Sequence, residues 1–278
     1  MRKNYRISDL KDYINWVYFF HAWSVPATSD EGKRLHEEAL KMLQRLQPYL
    51  KVKAVVDILP AWSDGDDIMV QRTLPCECGQ NHPIGTPVRI PMLRQQVPGK
   101  DGICLCLSDF IRPKTALKQD KIGIFATSTS IDVERTFPDD DYNKMLLQTL
   151  ADRLAEAGAE RLHEEVRKHI WGYAPDEQLT PAELHQEKFQ GIRPAVGYPC
   201  LPDISINFIL DELIGFQSIG VTLTSSAMMQ PHASVSGFMI SLPQAHYFAV
   251  GTIGEEQLTD YAQRRHMSPQ ELRPYIPS

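Results

Sequence analysis

Residues 190–199 read Gln190-Gly191-Ile192-Arg193-Pro194-Ala195-Val196-Gly197-Tyr198-Pro199, and their side chains suit the grip of a small polar ligand. A guanidinium such as that of Arg193 can fork onto a carboxylate through two charge-assisted hydrogen bonds. Gly197 has no side chain, so backbone amides and carbonyls can come close to a ligand there. Pro194 and Pro199 stiffen the run and lower the cost of ordering it on binding. Tyr198, and farther on Tyr247, offer ring faces to a flat base or to a cation, a contact worth roughly 0.5–2 kcal/mol. By spacing alone the plainer reading stays ahead: Arg193 steadies a surface loop, Gly197 makes a turn, and Tyr247 packs in the core.

Two other groupings invite chemistry. Asp152, Glu156 and Glu160 stand at successive i, i+4 positions. On a helix they share one face and repel by roughly 0.2–0.5 kcal/mol per pair. Most such rows are solvated, but a cationic ligand or partner would relieve the repulsion. Cys76, Cys78 and His82 form a compact Cys-x-Cys-x3-His cluster, and Cys104 and Cys106 a second Cys-x-Cys pair. In a strand, Cys104 and Cys106 point to one face and the thiolates could converge on zinc. Structural zinc sites favour Cys-x2-Cys turns, and cysteine is also a small core residue, so the zinc reading is the minor one.

The elements that must position these residues follow from pattern and punctuation. Residues 12–23 are amphipathic and crowded with aromatics, which read as core. Helical spacing of Leu35, Ala39, Met42, Leu43 and Leu46 predicts a helix over 29–46, with Asp30 near its start. Residues 52–59 read as a buried strand closed by Pro60. Residues 71–102, rich in Pro, Gly and Gln, read as a hairpin or long excursion. Residues 103–110 and 121–127 read as strands. The longest helix spans 141–170, capped by Asp139 and Asp140 and closed by Gly172. Thr180 and Pro181 announce a helix over 181–189. Tyr247 and Ala249 alternate on an expected strand, and helices are expected at 255–265 and after Ser268. Strands and helices do not alternate regularly, which points to an α+β fold in one domain over 1–278.

Composition narrows the function. The 278 residues are 42% hydrophobic and 23% charged, an ordinary globular profile. A formal net charge of -6 argues against nucleic acid. No apolar run approaches the ~20 residues of a membrane helix, and the start lacks a signal-peptide pattern. Five cysteines in such a chain read as reduced thiols, so a cytoplasmic location is expected.

Residues 190–199 closely resemble the Gly-Ile-Arg-Pro-Ala-Pro-Gly-Tyr-Pro signature of the reactivation domain of cobalamin-dependent methionine synthase. The same family is matched, in order, by Gly65-Asp66-Asp67-Ile68, by Asp140-Asp141-Tyr142-Asn143-Lys144 and by residues 150–157. Trp171-Gly172-Tyr173-Ala174, Ala233-Ser234-Val235-Ser236-Gly237 and Tyr247-Phe248-Ala249-Val250-Gly251 complete the match, from about residue 12 to about 275. The resemblance implies an α+β fold with a twisted, mainly antiparallel sheet flanked by helices. It implies binding of S-adenosylmethionine by Asn15, Glu156, Arg193, Ala195, Gly197, Tyr198, Tyr247 and Phe248, with Asp152 facing the partner. It implies a role in methionine biosynthesis: reductive methylation of cob(II)alamin on a separate methionine synthase or cobalamin-binding subunit, with flavodoxin or another reductase supplying the electron. Cobalamin would then be met only through the partner, since the chain carries no Asp-x-His-x2-Gly motif, and no catalytic acid, base or nucleophile of its own is expected.

The match departs from the family at four places. The family's Asp-Tyr-Ile-Asp-Trp is Asp12-Tyr13-Ile14-Asn15-Trp16, so a ligand-contacting carboxylate becomes an amide. The signature's third proline is Val196, and its tail reads Cys200-Leu201-Pro202 instead of Ala-Cys-Pro. Leu-Thr-Glu-Ser is Leu223-Thr224-Ser225-Ser226. The homocysteine, folate and cobalamin modules are absent from these residues. Asn15 and Val196 keep open an assembly subunit that no longer binds ligand, and a sensor of S-adenosylmethionine unrelated to cobalamin is the other alternative.

Overall fold

The computed structural model of the chain describes residues 1–276 apart from 76–80, 100–101, 130, 132–135 and 138. Its centre is an antiparallel sheet of β1 (Arg2–Arg6), β2 (Lys51–Asp64), β3 (Asp67–Val70), β6 (Val88–Pro91), β7 (Asp120–Thr129) and β10 (Ser234–Met239). Between β3 and β6 lies a small hairpin of β4 (Thr73–Pro75) and β5 (Asn81–Pro83), and before β10 a second of β8 (Thr222–Leu223) and β9 (Met229–Gln230). The sheet order is β10-β7-β2-β3-β6, with β1 paired to the first half of β2. The fold is α+β, as the sequence implies.

β2 alternates its apolar side chains between two cores. Val52, Ala54 and Val56 face one, and Val55, Leu59 and Ala61 the other. The first core lies under α1 (Ile7–Leu10), α2 (Trp16–Trp23), α3 (Asp30–Leu46) and the long α4 (Asp141–Glu165). The second is closed by Ile206 and Leu210 of α6 (Ile206–Ile214), which follows the short α5 (Pro181–His185). α7 (Glu255–Arg264) and α8 (Pro269–Leu272) build a smaller cluster around Tyr261 and Leu272. α4 lies close on the sheet, where the Thr127 hydroxyl donates to the Ala155 carbonyl at 2.9 Å.

Several expectations needed correction. β2 does not stop at Pro60 but runs on to Asp64. The proline's missing N–H falls just beyond the Ala61–Val70 pair that ends the β3 ladder, and its carbonyl still accepts the Gln71 N–H at 2.9 Å. Residues 103–110 do not form a strand: a lone bridge joins Cys106 to Arg94, and Leu107–Phe110 turns as a 3-10 helix. The Asp109 carboxylate accepts the Cys106 N–H at 2.8 Å, capping that turn and diverting the chain. The helix from Pro181 ends at His185, followed by Glu187 at φ 56°. Ser29, not Asp30, caps α3. Residues 247–249 are irregular rather than a strand.

The run 190–199 is read from sequence as a loop, but it docks along the free edge of β10. Ile192 and Ile240 exchange hydrogen bonds of 3.0 and 2.9 Å, and the Val196 N–H donates to the Ser236 carbonyl at 2.9 Å. Gly237 makes the approach possible, because a Cβ there would lie 2.1 Å from the Pro194 carbonyl oxygen. Gly197, at φ 88°, turns the run back so that the Leu201 carbonyl accepts its N–H at 2.8 Å.

Candidate functional site

The docked run and the acid row of α4 meet across a cleft of about 630 Å³, within the range of small-molecule sites. Arg193 reaches under the cleft, its side chain 11% exposed, and its Nη2 lies 2.9 Å from Glu160 Oε2. Nη1 is 3.9 Å from Glu156 Oε2. Burial works against the guanidinium's charge, but Glu160, Tyr247 and Glu156 outweigh it and hold the pKa above its usual value. The Tyr198 hydroxyl donates to Glu156 Oε1 at 2.7 Å. The backbone N–H of Arg193 donates to the Tyr247 hydroxyl at 2.9 Å, and burial pushes that phenol up to about 12. Burial also raises Glu187, an effect Arg193 opposes and Glu160 reinforces.

Two atoms here lack partners although both are buried: Arg193 Nε, a donor, and Glu160 Oε1, an acceptor. Buried polar groups are ordinarily hydrogen-bonded, so an orphaned donor beside an orphaned acceptor marks a place built for something else to bind.

Asn15, Glu156, Arg193, Ala195, Tyr198, Tyr247 and Phe248 all line this one cleft. Gly197 does not form its wall and acts through the turn it allows. Asp152 lies next door, in a recess of about 240 Å³ that shares Arg153, Glu156 and Tyr198 with the cleft. There Asp152 accepts from Gln148 Nε2 at 2.9 Å and sits 3.5 Å from His232 Nδ1. Burial raises its carboxyl pKa, with Gln148 and His232 opposing. Asn15 caps α2, its Oδ1 accepting the Val17 N–H at 3.1 Å.

Sequence reasoning missed Glu160, Glu187, Tyr18 and Arg153 as cleft residues. The i, i+4 row held the signal for Glu160. Tyr18 was read as core with the other aromatics of 12–23, yet it is 60% exposed and stacks against the Arg153 guanidinium, while Phe19 and Phe20 are buried. Of the expected cysteine cluster, Cys76 and Cys78 lie outside the described residues. Cys106 is buried beside Ser108 Oγ at 3.2 Å, and Cys104 is partly exposed. Among the described residues, no three His, Cys, Asp or Glu side chains are grouped to hold a metal ion.

The family described as vitamin B12 dependent methionine synthase, activation domain, matches residues 6–266. This chain belongs to that family. A crystal structure of the MetH reactivation domain bound to AdoHcy is 39% identical to it, with a TM-score of 0.88 over 99% of this chain and 88% of the other. The likeness accounts for the curled antiparallel sheet and its helices together. In this activation domain the family signature is therefore the run that docks on β10 and closes the cleft over Arg193. Among its described residues, no helix is long and apolar enough to cross a membrane.

Proposed function

We propose that this activation domain binds S-adenosylmethionine in the cleft over Arg193 and serves the reductive methylation of cob(II)alamin held on another chain, a methionine synthase or cobalamin-binding subunit. The observation that carries the reading is the buried guanidinium with an unpaired Nε, set beside a carboxylate with an unpaired Oε1, at the floor of a ligand-sized cleft. S-adenosylmethionine brings complementary groups: a carboxylate, an ammonium, a sulfonium cation and a flat adenine. Arg193 takes the carboxylate. The rings of Tyr198, Tyr247 and Phe248 meet adenine or sulfonium, and the backbone at Ala195 and Gly197 offers close polar contacts. Asn15 and Glu156 add side-chain hydrogen bonds. The carboxylates of Glu156, Glu160 and Glu187 outnumber the guanidiniums of Arg153 and Arg193 on the wall, which favours a ligand of net positive charge.

When bound, the ligand supplies the methyl group. The residues of this chain hold and orient it and keep its reactive end toward the partner. Asp152, in the adjoining recess, is the carboxylate nearest to hand for that partner, and a reductase such as flavodoxin supplies the electron. The test is calorimetric titration with S-adenosylmethionine and S-adenosylhomocysteine, paired with thermal melts. Saturable binding is expected, with about 2.7 kcal/mol of added stability when ligand stands at 100 times its dissociation constant. No heat and no shift at millimolar ligand would overturn the reading in favour of an assembly subunit that binds none.

A further inference from the structure

We infer that Glu160 is the residue that recognises the ligand's α-ammonium, so that Arg193 and Glu160 together read an α-amino-acid group as a zwitterion. The inference rests on the S-adenosylmethionine reading above and adds a specificity residue to it.

The ammonium needs an acceptor, and the cleft can be searched for one. Asn15 is poorly placed for the task. Its carbonyl is committed to the Val17 N–H at 3.1 Å, so the end left over is an amide NH2, which only donates. Glu156 has one oxygen occupied by the Tyr198 hydroxyl at 2.7 Å, and the other faces Arg193 at 3.9 Å. Burial biases Glu187 toward its neutral form. Asp152 belongs to the neighbouring recess and is engaged by Gln148 and His232. Glu160 differs from all of these. It lines the cleft, its side chain is 12% exposed, one oxygen anchors Arg193, and the other is buried with no partner.

An ammonium has three donors and no acceptor, and the unpaired Oε1 is its complement. The unpaired Nε of Arg193 is in turn the complement of a carboxylate. A zwitterion laid across the pair therefore completes a ring of alternating charge: guanidinium, ligand carboxylate, ligand ammonium and Glu160 carboxylate. Each new contact satisfies an atom that the protein alone leaves unsatisfied. The contacts also fix polarity, because a ligand turned end for end would set like charges against each other.

The experiment compares S-adenosylhomocysteine with its deamino analogue, identical but for the α-amino group, on the wild type and on Glu160→Gln. A charge-assisted hydrogen bond corresponds to roughly 10–100-fold in affinity. Wild type is expected to prefer S-adenosylhomocysteine by that factor, and Glu160→Gln to lose most of the preference while changing little toward the deamino analogue. Equal loss for both ligands would assign Glu160 a merely structural role through Arg193 and overturn the inference. Should Glu160→Gln fail to fold, a crystal structure of the wild type with S-adenosylhomocysteine decides. The ammonium nitrogen is expected within hydrogen-bond distance of Glu160 Oε1, and an ammonium held by Asn15 or Glu156 alone overturns the inference. Wild type that binds S-adenosylhomocysteine without preferring it sinks the inference alone. Wild type that binds neither ligand sinks the S-adenosylmethionine reading with it.

Discussion

Arg193 is the residue on which ligand affinity should turn. Its guanidinium is buried and already paired with Glu160, so the geometry is set before any ligand arrives. Arg193→Ala is expected to weaken S-adenosylmethionine binding by roughly 2–5 kcal/mol, the cost of truncating one partner of a buried charge pair. Arg193→Lys should recover only part, since an ammonium cannot fork. Calorimetry gives both values, and a wild-type dissociation constant for Arg193→Ala would remove it from the site. The chemical character of Arg193, Gly197 and Tyr198 was legible from residue type alone. Their placement was not, because the Glu160 partnership joins positions 33 residues apart through tertiary packing. The acid row showed that three carboxylates share a face; it said nothing of what covers them. Tyr18 was misread for a related reason: neighbouring aromatics on one helix look alike in sequence, and only the packed core decides which of them stay outside.

Among the elements, those with caps were readable and those depending on a partner strand were not. Thr180 and Asp140 cap helices where the sequence put them. The apolar run 103–110 resembled a strand, but a ladder needs a neighbour, and Asp109 instead folds the run into a turn. β1 went unrecognised because a short strand of mostly polar residues pairs through its backbone and leaves little pattern. α2 offers a test that separates architecture from ligand. Asn15 caps it, so Asn15→Ala should cost about 1 kcal/mol of stability even without ligand. Asn15→Asp keeps the capping oxygen and adds a negative charge at a helix N-terminus, worth about 0.3–1 kcal/mol in favour. Denaturant melts of the ligand-free proteins should therefore rank Asp at or above Asn, and Asn above Ala. An Ala variant as stable as wild type would mean that the cap contributes nothing.

On the scale of the whole molecule, the sheet divides two cores and leaves the cleft and the Asp152 recess side by side between α4 and the run docked on β10. The α+β class was legible from the irregular order of elements, whereas this juxtaposition depends on α4 crossing over β7, which no local pattern encodes. A shared wall of Glu156 and Tyr198 means that a partner engaging the recess lies next to anything held in the cleft. Asp152 is the residue whose stability and function should pull apart. Burial raises its folded-state pKa above the unfolded value near 3.9, so the folded chain favours the protonated form. The penalty for keeping it ionised is absent at pH below that unfolded value, grows as pH rises through the window up to the raised folded value, and is full above it. Asp152→Asn should then melt higher than wild type at neutral pH, with the gap closing as pH falls through the carboxylate range. Function should move the other way. A carboxylate at the mouth of the recess can accept a hydrogen bond from a partner's donor, and an amide does so more weakly. We expect a methionine synthase without its own reactivation domain, resting in the cob(II) state, to be returned to its methylated form by this protein, S-adenosylmethionine and a reducing system. Asp152→Asn should slow that return more than it weakens ligand binding, although the variant is the more stable protein. The deciding measurement is the rate of remethylation with and without the chain. An unchanged rate with a cognate cobalamin protein would sink the role in trans, even if S-adenosylmethionine binds tightly.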